Sequence, residues 1–185
     1  QQTEHVSYHH LSTSYVRGKW ANSKKCHTSM LLAKSCHDMD IMMWMMSATK
    51  PTQIASFGSK FQFKPENAPE GAGTICMKDC PYVDTCVYST KRLYIDHPDR
   101  WAFYVWDALE GKENPTIEDK IELMKSDSPY ARCIYKCDND VVDHQSVLIN
   151  FASGATGTLN MIGGSAEPRL SLIHISEPTR HSLIS

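Results

Sequence analysis

The 185-residue sequence lacks any long hydrophobic run, since its most apolar stretch, residues 41–46 (IMMWMM), ends after six residues. A membrane-spanning helix needs about 20 apolar residues, so we expect none. An excess of basic residues is also missing: 19 Lys and Arg stand against 21 Asp and Glu, for a net charge of −2. Nucleic-acid-binding domains usually carry a strongly basic surface, so the composition disfavours a nucleic-acid partner.

The chain also lacks a basic and then apolar signal region after Gln1, and its seven cysteines are an odd number. Both features favour a reducing, cytoplasmic compartment. The hydrophobic content of 41% suits one globular domain. Residues 170–180 (LSLIHISEPTR) resemble a translated sequencing adapter. We therefore interpret residues 1–169 as an incomplete domain and residues 170–185 as an artefact tail.

The order of the sequence patterns predicts an α+β fold, with a mixed, largely antiparallel open sheet and helices on one face. Strands are predicted at residues 2–10, 51–63, 132–137, 141–151 and 155–162. The last two flank Ala-Ser-Gly at 152–154, a sequence typical of a hairpin turn. Helices are predicted at residues 30–47, capped by Thr28 or Ser29, and at residues 116–125.

The segment at residues 31–44 (LLAKSCHDMDIMMW) combines ionisable groups at helical spacing. Lys34, His37 and Asp38 are separated by three and four positions, so we expect them to share one helix face. An imidazole one turn from a cation is suited to proton transfer with a hydroxyl or carbonyl, which makes Lys34 and His37 candidate catalytic residues. A surface histidine paired with a local aspartate is the alternative interpretation.

Aromatic and basic residues near the N-terminus are candidates for contacting a sugar-like substrate. They are Arg17 and Trp20, with Tyr8, His9 and His10 before them. The alternative role for this group is loop anchoring. Further along the chain, strand alternation places His144 opposite Asp143 and Gln145, for which we predict a structural role.

Five of the cysteines lie in two short segments, which hold Cys76, Cys80 and Cys86 and then Cys133 and Cys137. If the two segments meet, they offer enough thiolates for a tetrahedral metal site, and we expect such a site to hold structural zinc. The spacing is not the double C-x-x-C of a zinc ribbon. Several reduced, half-buried thiols are the alternative interpretation.

Four ordered segments, together with the cysteine pattern, resemble the C-terminal domain of the glucose–fructose oxidoreductase, inositol dehydrogenase and rhizopine-catabolism (Gfo/Idh/MocA) family. They are SYVRGKW (14–20), AKSCHDMDI (33–41), SFGSKFQFKPENAPEGA (56–72) and CDNDVVDHQSVLINFASGATGTLNM (137–161). The resemblance implies an NAD(P)-dependent oxidoreductase of a sugar, cyclitol or related polyol that oligomerises through its open sheet. No G-x-G-x-x-G is present, so NAD or NADP would bind to a missing N-terminal Rossmann domain.

The family's helix pattern, Asp-x-x-x-His-x-x-Asp, places its histidine on His37 and its last aspartate on Asp40. Its first aspartate falls on Ala33, which is followed by Lys34. The resemblance thus implies that His37 moves a hydroxyl proton together with a lysine of the missing domain. Asp40 and His10 join Arg17 and Trp20 as candidate substrate contacts. A non-enzymatic binding or assembly module stiffened by a cysteine–metal knuckle is the alternative function.

Overall fold

A computed structural model describes residues 1–97, 102–165 and 169–172. Its sheet has the strand order β2-β3-β4-β1-β5. The strands are β1 (Gln2–Ser7), β2 (Pro51–Ser59), β3 (His144–Phe151), β4 (Thr156–Ser165) and β5 (Arg169–Leu172). Strand β1 is parallel to β4, whereas the other neighbouring pairs are antiparallel. The predicted α+β class with a mixed open sheet is confirmed.

Helices connect and cover these strands. The α-helices of the described residues are α1 (Tyr8–His10), α2 (Ser23–Cys26), α3 (Met30–Met45), α4 (Cys76–Asp79) and α5 (Ile117–Lys125). Wider π-helical turns span Leu11–Val16 and Lys91–Asp96, and 3-10 turns span Pro65–Asn67, Ala102–Leu109, Pro129–Ala131 and Ile134–Lys136. None of the helices in the described part of the chain is long and apolar enough to cross a membrane.

The two longer predicted helices are present, and their starts have capping side chains. At the start of α3, Ser29 Oγ accepts a hydrogen bond from the Leu32 amide at 3.2 Å. At the start of α5, Thr116 and Asp119 form a reciprocal capping box. Helix α3 bends at Ser35, whose φ of −104° and ψ of 15° are not helical.

Helix α3 packs on one face of the β3–β4 hairpin. Met42 contacts a buried cluster formed by Val147, Ile149, Phe151 and Leu159. Gly157 permits this approach, because a Cβ at that position would lie 2.8 Å from the Met42 sulfur. The hairpin turns at Gly154, whose φ of +84° favours glycine. A second core cluster around Val6 joins β1 and β4 to the adjoining loops.

The bounds of all five predicted strands differ from the structure. Strand β3 starts at His144 and not at residue 141, and β4 spans Thr156–Ser165 and not 155–162. Strand β1 ends at Ser7, because its side chain caps α1 by accepting from the His10 amide. Strand β2 ends at Ser59, because the next amides turn towards the carboxylate of Asp143. The predicted strand at 132–137 is wrong: the segment forms a 3-10 turn and keeps only an isolated bridge between Ile75 and Arg132.

Part of the tail interpreted as an artefact lies within the described residues. Residues 170–172 belong to β5, which pairs with Gln2–Glu4 of β1. Residues 173–185 lie outside the described residues. A free sheet edge accepts many extended segments, so this pairing is compatible with either origin of the tail. The division at residue 169 stays a prediction.

Candidate functional site

Helix α3 directs its ionisable side chains to two different sides. His37 and Asp40 are exposed, whereas Asp38 is buried and Lys34 is partly buried. The shared face expected from the spacing is therefore not formed. The bend at Ser35 falls between Lys34 and His37, which interrupts the helical spacing on which that expectation rested.

Lys34 is paired across the interface between α3 and the sheet. Its ammonium donates to the carboxylate of Glu4 on β1, which is itself buried. Because this contact neutralises the charge, it supports a role in fixing α3 on the sheet. Among the described residues, no other contact of Lys34 supports the catalytic role predicted for it.

His37 is an accessible ionisable group on α3, as is Asp40. Within the described residues its ring forms no hydrogen bond, and it stands on the outer side of a capped helix. On the same helix, Ser35 Oγ and Asp38 Oδ2 are buried and have no hydrogen-bond partner among the described residues. An exposed imidazole on a helix can exchange a proton with a ligand placed over that side.

Arg17 is buried and holds two distant segments together. Its Nε donates to the carbonyl of Arg132 at 2.8 Å, and its Nη2 donates to the carbonyl of Tyr88 at 2.9 Å. Two of the guanidinium nitrogens, Nε and Nη2, therefore donate to the main chain. These bonds favour loop anchoring, the alternative interpretation of this residue.

Asp40 lies on α3, whereas the other two predicted substrate contacts, Trp20 and His10, lie close to Arg17 in the N-terminal segment. Trp20 is half-buried, with the Lys19 ammonium 5.1 Å from its ring centroid. His10 lies 5.2 Å from the ring of Tyr15, whose hydroxyl donates to the carbonyl of Ala33 on α3. His10 is therefore connected to α3 through Tyr15.

The two cysteine segments meet, as the metal-site interpretation requires. The Cys133 amide donates to the carbonyl of Thr74 at 2.8 Å, next to the bridge between Ile75 and Arg132. Arg17 also connects this region, since it bonds to the carbonyls of Arg132, before Cys133, and Tyr88, after Cys86. The thiol of Cys76 is buried and accepts from the Thr90 amide at 3.4 Å.

The thiols nevertheless do not converge on one point. Across residues 1–97, 102–165 and 169–172, no three His, Cys, Asp or Glu side chains are arranged to hold a metal ion. All seven cysteines are unpaired. Burial raises the pKa of Cys86, Cys133 and Cys137, which keeps these thiols protonated. This arrangement matches reduced, half-buried thiols better than a formed thiolate site.

Asp143 anchors the chain where β2 ends. It is 4% exposed, and its carboxylate accepts from the amides of residues 61, 62 and 63 at 2.7–3.3 Å. The His144 ring lies 3.2 Å from the same carboxylate. These contacts support the structural role predicted for this segment.

The sheet face opposite α3 carries exposed apolar side chains. Phe57 is 78% exposed, Leu148 is 53% exposed and Ile162 is 42% exposed. The strand register places them on one face. Ser146 pairs with Phe57 on one side and with Asn160 on the other, and residues two positions apart in a strand share a face. Leu148 is two positions from Ser146, and Ile162 is two positions from Asn160. We call this group the open face.

A basic cleft was not anticipated as a site from the sequence. It has a volume of about 460 Å³ and is lined by Arg17, Lys19, Lys25 and Arg132 among others. Of these four cations, the sequence indicates a functional role for Arg17 alone. The residues come from segments more than 100 positions apart in the chain, and no local pattern links them.

Comparisons with known proteins identify no relative. No family model matches this chain, no curated protein shows significant sequence similarity to it, and no solved structure matches its fold. The resemblance to the Gfo/Idh/MocA family therefore rests on the motifs quoted above.

Proposed function

We propose that this chain is the substrate-binding and oligomerisation domain of a Gfo/Idh/MocA-type, NAD(P)-dependent oxidoreductase that acts on a sugar, cyclitol or related polyol. The observation that carries the proposal is the position of His37. It is an exposed imidazole on a capped helix that packs on an open mixed sheet. Asp40, three positions along the same helix, is also exposed.

The chain's own residues do not fit a dinucleotide. No strand in the sequence leads into a Gly-x-Gly-x-x-Gly turn, which would bring backbone amides to the pyrophosphate. In this proposal NAD or NADP is held by a separate domain. The task of this chain is to bind the polyol and, through His37, to hold or move the proton of the reacting hydroxyl.

The open face supports the oligomerisation part of the proposal. An exposed Phe57 beside exposed Leu148 is an apolar surface that a second copy of the chain would cover. The seven unpaired thiols agree with the proposed cytoplasmic location, where cysteines stay reduced.

The experiment that tests the proposal is a kinetic comparison in the longer protein that joins this chain to its dinucleotide-binding domain. His37→Ala should lower kcat for an NAD- or NADP-linked polyol oxidation by about 10²- to 10⁴-fold. His27→Asn is the control, because His27 is an exposed histidine outside α3 with a φ of 53°, which asparagine tolerates. A loss smaller than about tenfold for His37→Ala would contradict the acid–base role.

A non-enzymatic module with a structural zinc knuckle is the second candidate. The meeting of the segments that contain Cys76 and Cys133 favours it. The absence of a convergent donor group among the described residues weighs against it. Purified chain reconstituted with zinc should then hold about one ion. A content below about a tenth of that value would exclude this candidate.

A further inference from the structure

A cleft of about 460 Å³ lies where the loop after Leu11–Val16 meets the turns that precede β3. Its lining residues come from positions 16–25, 129–132 and 137–138. Its volume is in the range that small-molecule sites occupy, about 300–1,000 Å³. Neither His37 nor any other ionisable residue of α3 lines it.

The charge of this cleft is opposite to that of the whole chain. Four cationic side chains line it, those of Arg17, Lys19, Lys25 and Arg132, together with the single carboxylate of Asp138. The chain as a whole has a net charge of −2. A concave surface lined by one sign of charge concentrates ions of the other sign.

Two of these cations are not neutralised by a carboxylate. Lys25 is paired with Asp138 at 2.9 Å, and Arg132 is paired with Asp127 at 3.0 Å. Arg17 donates to two main-chain carbonyls and interacts with the Tyr94 side chain, and Lys19 lies over the Trp20 ring. Within the described residues, neither cation is paired with a carboxylate.

The two arginines also have unused donors. Arg17 Nη1 and Arg132 Nε are buried, and no residue in the described part of the chain hydrogen-bonds to them. Arg17 as a residue is 3% exposed. Buried donors normally find an acceptor, because an unpaired one is costly. Two guanidinium groups with spare N–H donors at one cleft match the acceptor oxygens of an oxyanion.

We propose that this cleft binds the carboxylate or phosphate group of a small molecule. The spare donors of Arg17 and Arg132 contact its oxygens after a small adjustment of the side chains, and Lys19 adds attraction from the rim. This inference does not depend on the acid–base role proposed for His37, because no ionisable residue of α3 lines the cleft. Arg17 is the one residue that it shares with the substrate contacts predicted from the sequence.

The test is a titration of the isotope-labelled chain, followed by amide chemical shifts, with inorganic phosphate in one series and acetate in another. Sodium chloride keeps the ionic strength constant, so general screening is the same throughout. Saturable shifts of the Gly18 and Asn22 amides, with a dissociation constant of about 1 mM or tighter, are expected for at least one anion. Response to phosphate alone or acetate alone identifies the preferred group. Failure of both to saturate overturns the proposal.

Two variants and a matched control locate the binding. Lys19→Gln and Arg132→Gln, both checked for an unchanged circular dichroism spectrum, should each weaken binding at least threefold. Lys24→Gln is the control, because Lys24 is an exposed lysine in the same basic stretch but does not line the cleft. An equal loss in Lys24→Gln would mean that the anion is attracted by the stretch in general, and would overturn the proposal.

Discussion

Arg17→Met should strongly destabilise the fold, because Arg17 connects both cysteine segments. The variant loses two hydrogen bonds from a charged donor, to the carbonyls of Arg132 and Tyr88 at 2.8 and 2.9 Å. Each such bond contributes about 1.5–3 kcal/mol to the free energy of unfolding. Removing the buried charge also removes its desolvation cost, which offsets part of this loss. We therefore expect the free energy of unfolding to fall by about 3 kcal/mol, a large part of the 5–15 kcal/mol typical of a domain.

Urea unfolding followed by circular dichroism measures this change as a lower transition midpoint. Arg17→Lys keeps a charge but cannot reach both carbonyls in the same fork, so an intermediate loss is expected. Lys19→Met is the control: Lys19 is exposed, and its ring contact is worth about 0.5–1 kcal/mol. If the free energy of unfolding falls no more in Arg17→Met than in Lys19→Met, Arg17 does not anchor the fold.

Three other predictions concern the anchor at Asp143, the open face and alkaline pH. Asp143→Ala should lower the unfolding free energy by about 3 kcal/mol in urea, since three amides lose a charged acceptor; a loss below about 1 kcal/mol would contradict this. Phe57→Glu should weaken self-association, measured by sedimentation, because it places a charge on the open face. Val87→Glu is the control, since Val87 is an exposed apolar residue outside the sheet. Equal effects of the two substitutions would contradict self-association through the open face. Burial raises the pKa of Tyr88 from 10.0 to about 12, so the folded chain keeps a proton that the unfolded chain releases. Stability should therefore fall as pH rises from 10 to 12, and less so in Tyr88→Phe; identical pH curves would refute this.

Local patterns were sufficient to predict much of the architecture. The capping residues at Ser29 and Thr116 predicted the starts of α3 and α5, because a cap depends on only a few neighbouring residues. The hairpin around Gly154 was predicted for the same reason, since a tight turn needs a residue that tolerates positive φ.

Contacts between distant residues explain where prediction failed. The segment 132–137 has a strand-like composition, but Arg17 and Thr74 bond its backbone groups outside any sheet. The spacing of Lys34 and His37 suggested one face, but Glu4 draws Lys34 to the sheet and the bend at Ser35 intervenes. Spacing alone does not show whether the two cysteine segments meet, because their contact depends on residues more than 50 positions apart.

In the proposed function, this chain works beside a dinucleotide-binding domain. A long sequencing read of the source DNA across both ends of the reading frame tests this proposal most directly. We predict an upstream, in-frame segment with a strand, a Gly-x-Gly-x-x-Gly turn and a helix, followed by a Glu-Lys-Pro motif. We also predict different codons after Arg169. A read that encodes no such domain beside this chain would contradict the oxidoreductase proposal.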